Sequence, residues 1–313
     1  MKNILLLTIT LLTVLFSGCA QENQDYDLNI VSVNYIGYDF AKQITNGEAN
    51  IELLIKPGSE THAYDPTAKD IIAIKEADVF IYTGGHSEEW VIDILSTIDN
   101  PNLKVIRLMD IVEVLEEEIV EGMQTEEHDH DHEHKEEVEY DEHVWTSPSN
   151  AIKILNTIKN TLVEIKPDEK ETYLTNAILY QQKIENAKTE IQEIVNIATN
   201  KTLIFGDRFP FRYFIEEFNL DYYAAFPGCS SDTEASAKTI AYLINKVKKE
   251  KINVILKIEL SSSTIADTIA NETEAKVLEL HSAHNISADD FKNNISYVDL
   301  LNRNLETLKE ALQ

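Results

Sequence analysis

Residues 77–90 read A-D-V-F-I-Y-T-G-G-H-S-E-E-W, and their order decides the architecture. The run Asp78 to Tyr82 has the length and β-branched or aromatic content of a buried strand, two glycines turn the chain, and Ser87-Glu88-Glu89-Trp90 starts a helix. The same alternation surrounds it. Leu28 to Val33 and Ile51 to Leu54 read as further apolar runs beside helix-like stretches that reach Ile44 and include Ile71 to Ile74. After position 200 the runs Thr202 to Phe205, Asp221 to Ala225, Val254 to Ile258 and Val277 to Leu280 are each separated by segments of helical period. Strands alternating with helices predict βαβ units. The expected fold is therefore α/β: two lobes, each a mostly parallel sheet flanked by helices.

Between the lobes, Pro167-Asp168 followed by Glu171 carries a capping-box pattern. Apolar positions then recur from Leu174 to Ala198 with no proline or glycine. A helix over about 168–199 would be roughly 48 Å long at 1.5 Å per residue, a rigid connector joining two lobes across a cleft. The expected organisation is a signal peptide over 1–18, a lipid-anchored linker over 19–27, a first lobe over 28–166, the connecting helix over 167–200 and a second lobe over 201–313.

The N-terminus supports that division. Lys2 precedes an apolar stretch from Ile4 to Phe16 that is shorter than the roughly 20 residues a spanning helix needs, so it reads as a secretory signal. Ser17-Gly18-Cys19 resembles a bacterial lipobox, which would make Cys19 the lipidated first residue of an exported, membrane-anchored chain. Cys229 then remains alone, so no internal disulfide is expected.

The formal net charge of -28 argues against nucleic acid and anionic lipid as partners and in favour of cations. Half of that charge lies in residues 113–142, which hold 15 acidic residues against the single Lys135. Such composition predicts a disordered loop over about 116–141, centred on Gly122 to Glu139. Within it His128, His130, His132 and His134 alternate with carboxylates, a pattern suited to weak metal collection beside a tighter site.

Two single histidines stand outside that run in turn-rich settings. His62 lies in P-G-S-E-T-H-A-Y-D-P and His143 in D-E-H-V-W-T-S-P. Imidazole is the commonest ligand for zinc and its neighbours, and crevices of open α/β sheets form at the carboxyl ends of strands. At other strand ends stand His86, Asp207, Glu259, and the pair His281 and His284. His86 reads equally as a loop residue beside the site, Asp207 as a salt-bridge partner of Arg208 or Arg212, and Glu259 as a helix cap.

The three motifs P-G-S-E-T-H-A-Y-D-P, A-D-V-F-I-Y-T-G-G-H-S-E-E-W and D-E-H-V-W-T-S-P together resemble those of the zinc and manganese solute-binding lipoproteins of ABC importers, the ZnuA-like group. The resemblance implies a metal held between two lobes, with His62 and His143 matching the first two ligands. It also implies binding without catalysis, and a membrane permease as partner at the outer face of the cell membrane. A monomer is expected, and a long connector implies small tilts between the lobes instead of a wide hinge. The family's third ligand, commonly histidine, precedes an aromatic-x-Tyr-Phe helix. Here the stretch reads F-G-D-R-F-P-F-R-Y-F from Phe205, without histidine and one residue longer, so Asp207 is the candidate. His281 is the preferred fourth ligand, and His284, Glu259 and His86 are further ligands or their supports. Zn²⁺ is the expected cargo. A manganese or iron receptor is the alternative, and an exported zinc metallohydrolase or an adhesin a more distant one.

Overall fold

The computed structural model describes residues 26–59, 61, 64–124, 138–230 and 234–313. The signal stretch, Cys19, His62 and the run His128 to His134 lie outside the described residues.

Among the described residues eight strands form two four-stranded parallel sheets. β1 (Asn29–Ser32), β2 (Asn50–Leu53), β3 (Val79–Tyr82) and β4 (Lys104–Arg107) are ordered β2-β1-β3-β4. β5 (Thr202–Phe209), β6 (Asp221–Pro227), β7 (Val254–Lys257) and β8 (Lys276–Glu279) repeat that pattern as β6-β5-β7-β8. Both faces of each sheet are covered, which is why the strands read as continuous apolar runs instead of alternating ones. Val79 and Ile81 face one core of the first sheet while Phe80 and Tyr82 face another. In the second sheet Leu203 and Phe205 face one core and Ile204 the other.

The long helix is Lys170–Ile197, 28 residues or about 42 Å. Its start differs from the expected capping box. Pro167–Glu169 forms a single 3₁₀ turn leading in, and Glu169 at the N-cap makes no side-chain capping bond. The fixed φ of Pro167 suits this tight first turn. Along the helix Tyr173, Ala177, Tyr180, Ile184 and Ala187 pack into the core of the first sheet, and Ile191, Ile194 and Val195 into that of the second. The last helix, Tyr297–Ala311, does the same in reverse: Tyr297, Val298, Leu300 and Leu301 enter the first core, Leu305 and Leu308 the second. Buried Asp39 joins the two helices to Tyr35–Thr45, accepting hydrogen bonds from the Tyr180 hydroxyl at 2.6 Å and the Tyr297 amide at 3.0 Å.

The two ends of the acidic segment are ordered, contrary to the expectation drawn from composition. Glu116 pairs with Tyr140 in an antiparallel bridge, flanked by Glu117 N to Glu139 O at 2.9 Å and Asp141 N to Leu115 O at 3.0 Å. From there residues 117–124 cross onto the second sheet. Val120 and Met123 pack on its core, the Gln124 amide donates to Ala225 O at 2.9 Å, and the Tyr242 hydroxyl donates to Glu121 at 3.0 Å. A few apolar and backbone anchors therefore place a stretch whose charge alone predicts disorder. No helix among the described residues is long and apolar enough to cross a membrane.

Candidate metal cleft

His143 is fully buried at the start of a 3₁₀ turn, Val144–Thr146, that leads into the helix Pro148–Ile165. Ser147 caps that helix by accepting from the Asn150 amide at 3.1 Å. The imidazole is oriented from behind. Asp141 Oδ1 accepts from the His143 amide at 2.8 Å and lies 3.2 Å from Nδ1, so the N–H sits on Nδ1 and the lone pair on Nε2. Asp141 is held in turn by Tyr213 of the second lobe, whose hydroxyl donates to Asp141 O at 2.7 Å. Burial pushes the His143 pKa down, but the charge and hydrogen bond of Asp141, with Glu142 and Glu117, more than offset it and leave the pKa above the ordinary imidazole value. Gly228 lets the turn after β6 approach: a Cβ there would lie 3.3 Å from His143 Cε1 and 2.8 Å from Phe209 O.

Facing His143 is His284. The rings meet edge to face with centroids 4.9 Å apart, and Trp145 packs on both, 5.7 Å from His143 and 5.2 Å from His284. Thr61 Oγ1, next in the chain to His62, lies 3.3 Å from His284 Nδ1. Trp145 also ties the lobes together, donating from Nε1 to Ser282 O at 2.9 Å and accepting at its carbonyl from the Tyr297 hydroxyl at 2.8 Å. The cavity between these groups is about 30 Å³, and its walls include Thr61, His143, Arg208, Glu259, Ser282 and His284.

The other described sequence candidates, Glu259 apart, fall elsewhere. His281 is buried but does not line the cavity; its Nδ1 accepts from the Ala283 amide at 2.9 Å and sits 3.6 Å from Glu259 Oε1. Glu259 lines the cavity while its carboxylate holds the following turn, accepting from Ser282 N at 2.7 Å, Ser282 Oγ at 2.6 Å and His284 N at 3.2 Å. It is a brace for the His284 turn and caps no helix.

Asp207 is buried and stays out of the cavity wall. It accepts from Arg208 N at 2.8 Å, Ile258 N at 3.0 Å and the Ser261 hydroxyl, and burial raises its pKa although these bonds oppose the rise. His86 is exposed and paired with Glu89 at 2.9 Å. Among the described residues no three His, Cys, Asp or Glu side chains converge to hold an ion; His143 and His284 are the pair that the fold brings together. Sequence reading missed Asp141 and Thr61 as the groups that orient them, although Asp141 in D-E-H was a usable signal for a carboxylate behind an imidazole.

Two parallel sheets meeting at a histidine cleft, spanned by one long helix, define the two-lobed fold of the solute-binding class. The family model of ZnuA, the periplasmic component A of a zinc-uptake complex, matches residues 30–311, and the chain belongs to this family. It is 35% identical over 314 residues to the zinc-binding lipoprotein AdcA of Streptococcus pneumoniae, a match covering 99% of this chain and 61% of that protein. It thus spans about three fifths of the length of AdcA. It is 32% identical over 297 residues to the high-affinity zinc uptake system protein ZnuA of Bacillus subtilis, covering 94% of this chain and 90% of that one. The Zn(II)-bound ZnuA-like domain of S. pneumoniae AdcA superposes with a TM-score of 0.74 at 33% identity, over 91% of this chain and 98% of that domain.

Proposed function

We propose that this protein is the extracytoplasmic receptor of a zinc importer, anchored to the membrane through Cys19, which captures Zn²⁺ in the cleft and passes it to a membrane permease. The observation that carries this reading is the meeting of His143 and His284, with ring centroids 4.9 Å apart, where the two lobes face each other. Each ring has a neighbour at Nδ1, Asp141 for His143 and Thr61 for His284, an arrangement that leaves Nε2 of each as the metal-facing atom. His62, next to Thr61 and matching the family's first ligand, supplies a third imidazole. His284 takes the place that sequence alone assigned to His281.

Three imidazoles favour zinc over manganese, which prefers oxygen ligands. Capture is binding without bond chemistry: ligands drawn from both lobes close on one ion, and the acidic surface draws cations toward it. The zinc-binding names of the relatives support the same reading.

The test is a competition titration of the exported chain with Zn²⁺ and Mn²⁺. One tight zinc equivalent, with manganese bound more weakly, is expected, and it should survive deletion of residues 125–137. Tighter manganese would move the cargo, and a zinc site lost with residues 125–137 would overturn the cleft as the site of capture.

A further inference from the structure

The turn that carries His284 leaves the second sheet and is fastened to the first lobe. Ala283 and Ile286 are buried in the core of the first sheet, although β8 just before them belongs to the second. Between them Asn285 is 2% exposed and uses both protons of its side-chain amide. Nδ2 donates to Lys56 O at 3.0 Å and to Ser59 O at 2.8 Å, while Oδ1 accepts from the Ile286 amide at 2.8 Å. The Gly58 amide answers from the other side, donating to Ile286 O at 2.7 Å.

The partner of Asn285 is a turn that the sequence specifies. Pro57 and Gly58 hold its middle positions, Gly58 at φ 83, and the Ser59 amide closes on Lys56 O at 3.1 Å, the pattern of a type II turn. Two residues further on, Thr61 Oγ1 stands 3.3 Å from His284 Nδ1. One buried amide thus ties the main chain after His284 to the loop that faces its ring. On the opposite side, Glu259 holds the same turn to the second lobe through Ser282 and the His284 amide. Glu259 fixes where the turn stands over its own sheet. Asn285 fixes how far it stands from the first lobe, and so from His143.

Resting on the zinc-capture reading, we infer that Asn285 is a positioning residue for the metal site: by fastening the His284 turn to the Lys56–Ser59 turn, it holds His284 opposite His143 before the ion arrives. The two imidazoles then meet zinc as a preformed pair. Asn285 borders the cavity, but its amide protons and its carbonyl are engaged with the main chain, so it acts through His284 and not on the ion.

The experiment measures zinc affinity of the full exported chain by dye competition, and zinc release into excess chelator by stopped flow. Asn285→Asp keeps the size of the side chain and the acceptor for Ile286, but turns an anion toward two carbonyls in place of two donors. It should weaken zinc binding about tenfold, mostly through faster release. In a His284→Ala background the same substitution should change affinity by less than about twofold, because the group it positions is gone. Ser149→Ala removes a hydrogen bond between the lobes, to Glu217, away from the cleft, and should leave zinc release unchanged. Gly58→Ala reaches the junction from the first lobe: a side chain is disfavoured at φ 83, so zinc should bind more weakly, by a smaller factor, and this variant carries the test if Asn285→Asp does not fold. Unchanged affinity and release in these junction variants would overturn the inference and leave zinc capture standing. A loss in Asn285→Asp that persists undiminished in the His284→Ala background, or that Ser149→Ala matches, would mean general loosening of the fold and overturn the positioning role. Absence of tight zinc binding by the unaltered chain would overturn the capture reading and the inference with it.

Discussion

In the first sheet every strand is four residues long, and His143, the described histidine that its lobe sends to the cleft, lies far beyond β4, past the acidic segment. In the second sheet β5 runs eight residues, and Arg208 and Glu259 stand on or just beyond the strands themselves. The strand order is the same in both. Topology therefore locates the crevice twice, but it does not choose the side chains that enter it. A residue at a strand end inherits its direction from the sheet. A residue at the end of a long excursion has to be clamped, as His143 is by Asp141, Tyr213 and Trp145.

Trp145 is the strongest point at which to break that contrast. It is fully buried and donates across the lobes to Ser282, so Trp145→Ala should cost about 3–5 kcal/mol and loosen both histidines. Thermal unfolding with and without zinc would check it, and a loss under 1 kcal/mol would mean that the clamp lies elsewhere.

The second lobe offers a sharper comparison, because two histidines follow β8. His284→Ala should weaken zinc binding by about 100-fold and His281→Ala by less than about threefold, read by dye competition. Equal losses would show that the turn rearranges on binding.

The smallest effect concerns Glu88, which accepts from the Thr83 and Gly84 amides at 2.6 and 2.9 Å, with burial and the Glu142 charge pushing its pKa up to about 7. Its folded pKa lies above the unfolded value, so the folded state binds the proton more tightly and stability falls as pH rises from about 4.5 to about 7. Glu88→Gln should remove that slope, stabilising the fold at pH 8 and leaving it unchanged near pH 4. Urea unfolding at the two pH values measures it, and parallel curves for both chains would exclude a buried charge as the cause.

Much of this architecture is legible in the sequence because fully buried parallel strands write themselves as apolar runs, and the long helix as an unbroken period between prolines and glycines. His143 is legible for a related reason: a histidine in D-E-H-V-W between an acidic run and a capped helix has to be inside. The choice between His281 and His284 is not. It depends on Ala283 at φ 60, a left-handed turn that no periodicity announces in a non-glycine residue, and on Glu259 gathering the amides of the turn. Nor is the choice at Asp207 between a metal ligand and an ion-pair partner, because β5 runs on past Phe205 and shifts register before Arg208. The ordered ends of the acidic segment were hidden by charge, since Val120 and Met123 are too few to register against so many carboxylates.

The helix Tyr297–Ala311 belongs to both cores at once, and this governs the timetable of folding. While the chain is being made, the first lobe lacks Tyr297, Val298, Leu300 and Leu301 until the strands of the second sheet have emerged as well. Asp39 meanwhile lacks the amide that helps to satisfy it. Neither half can close early and independently, so vectorial synthesis yields an open chain until this helix arrives. For the exported receptor proposed above, which would be threaded across a membrane before it folds, that delay is an advantage.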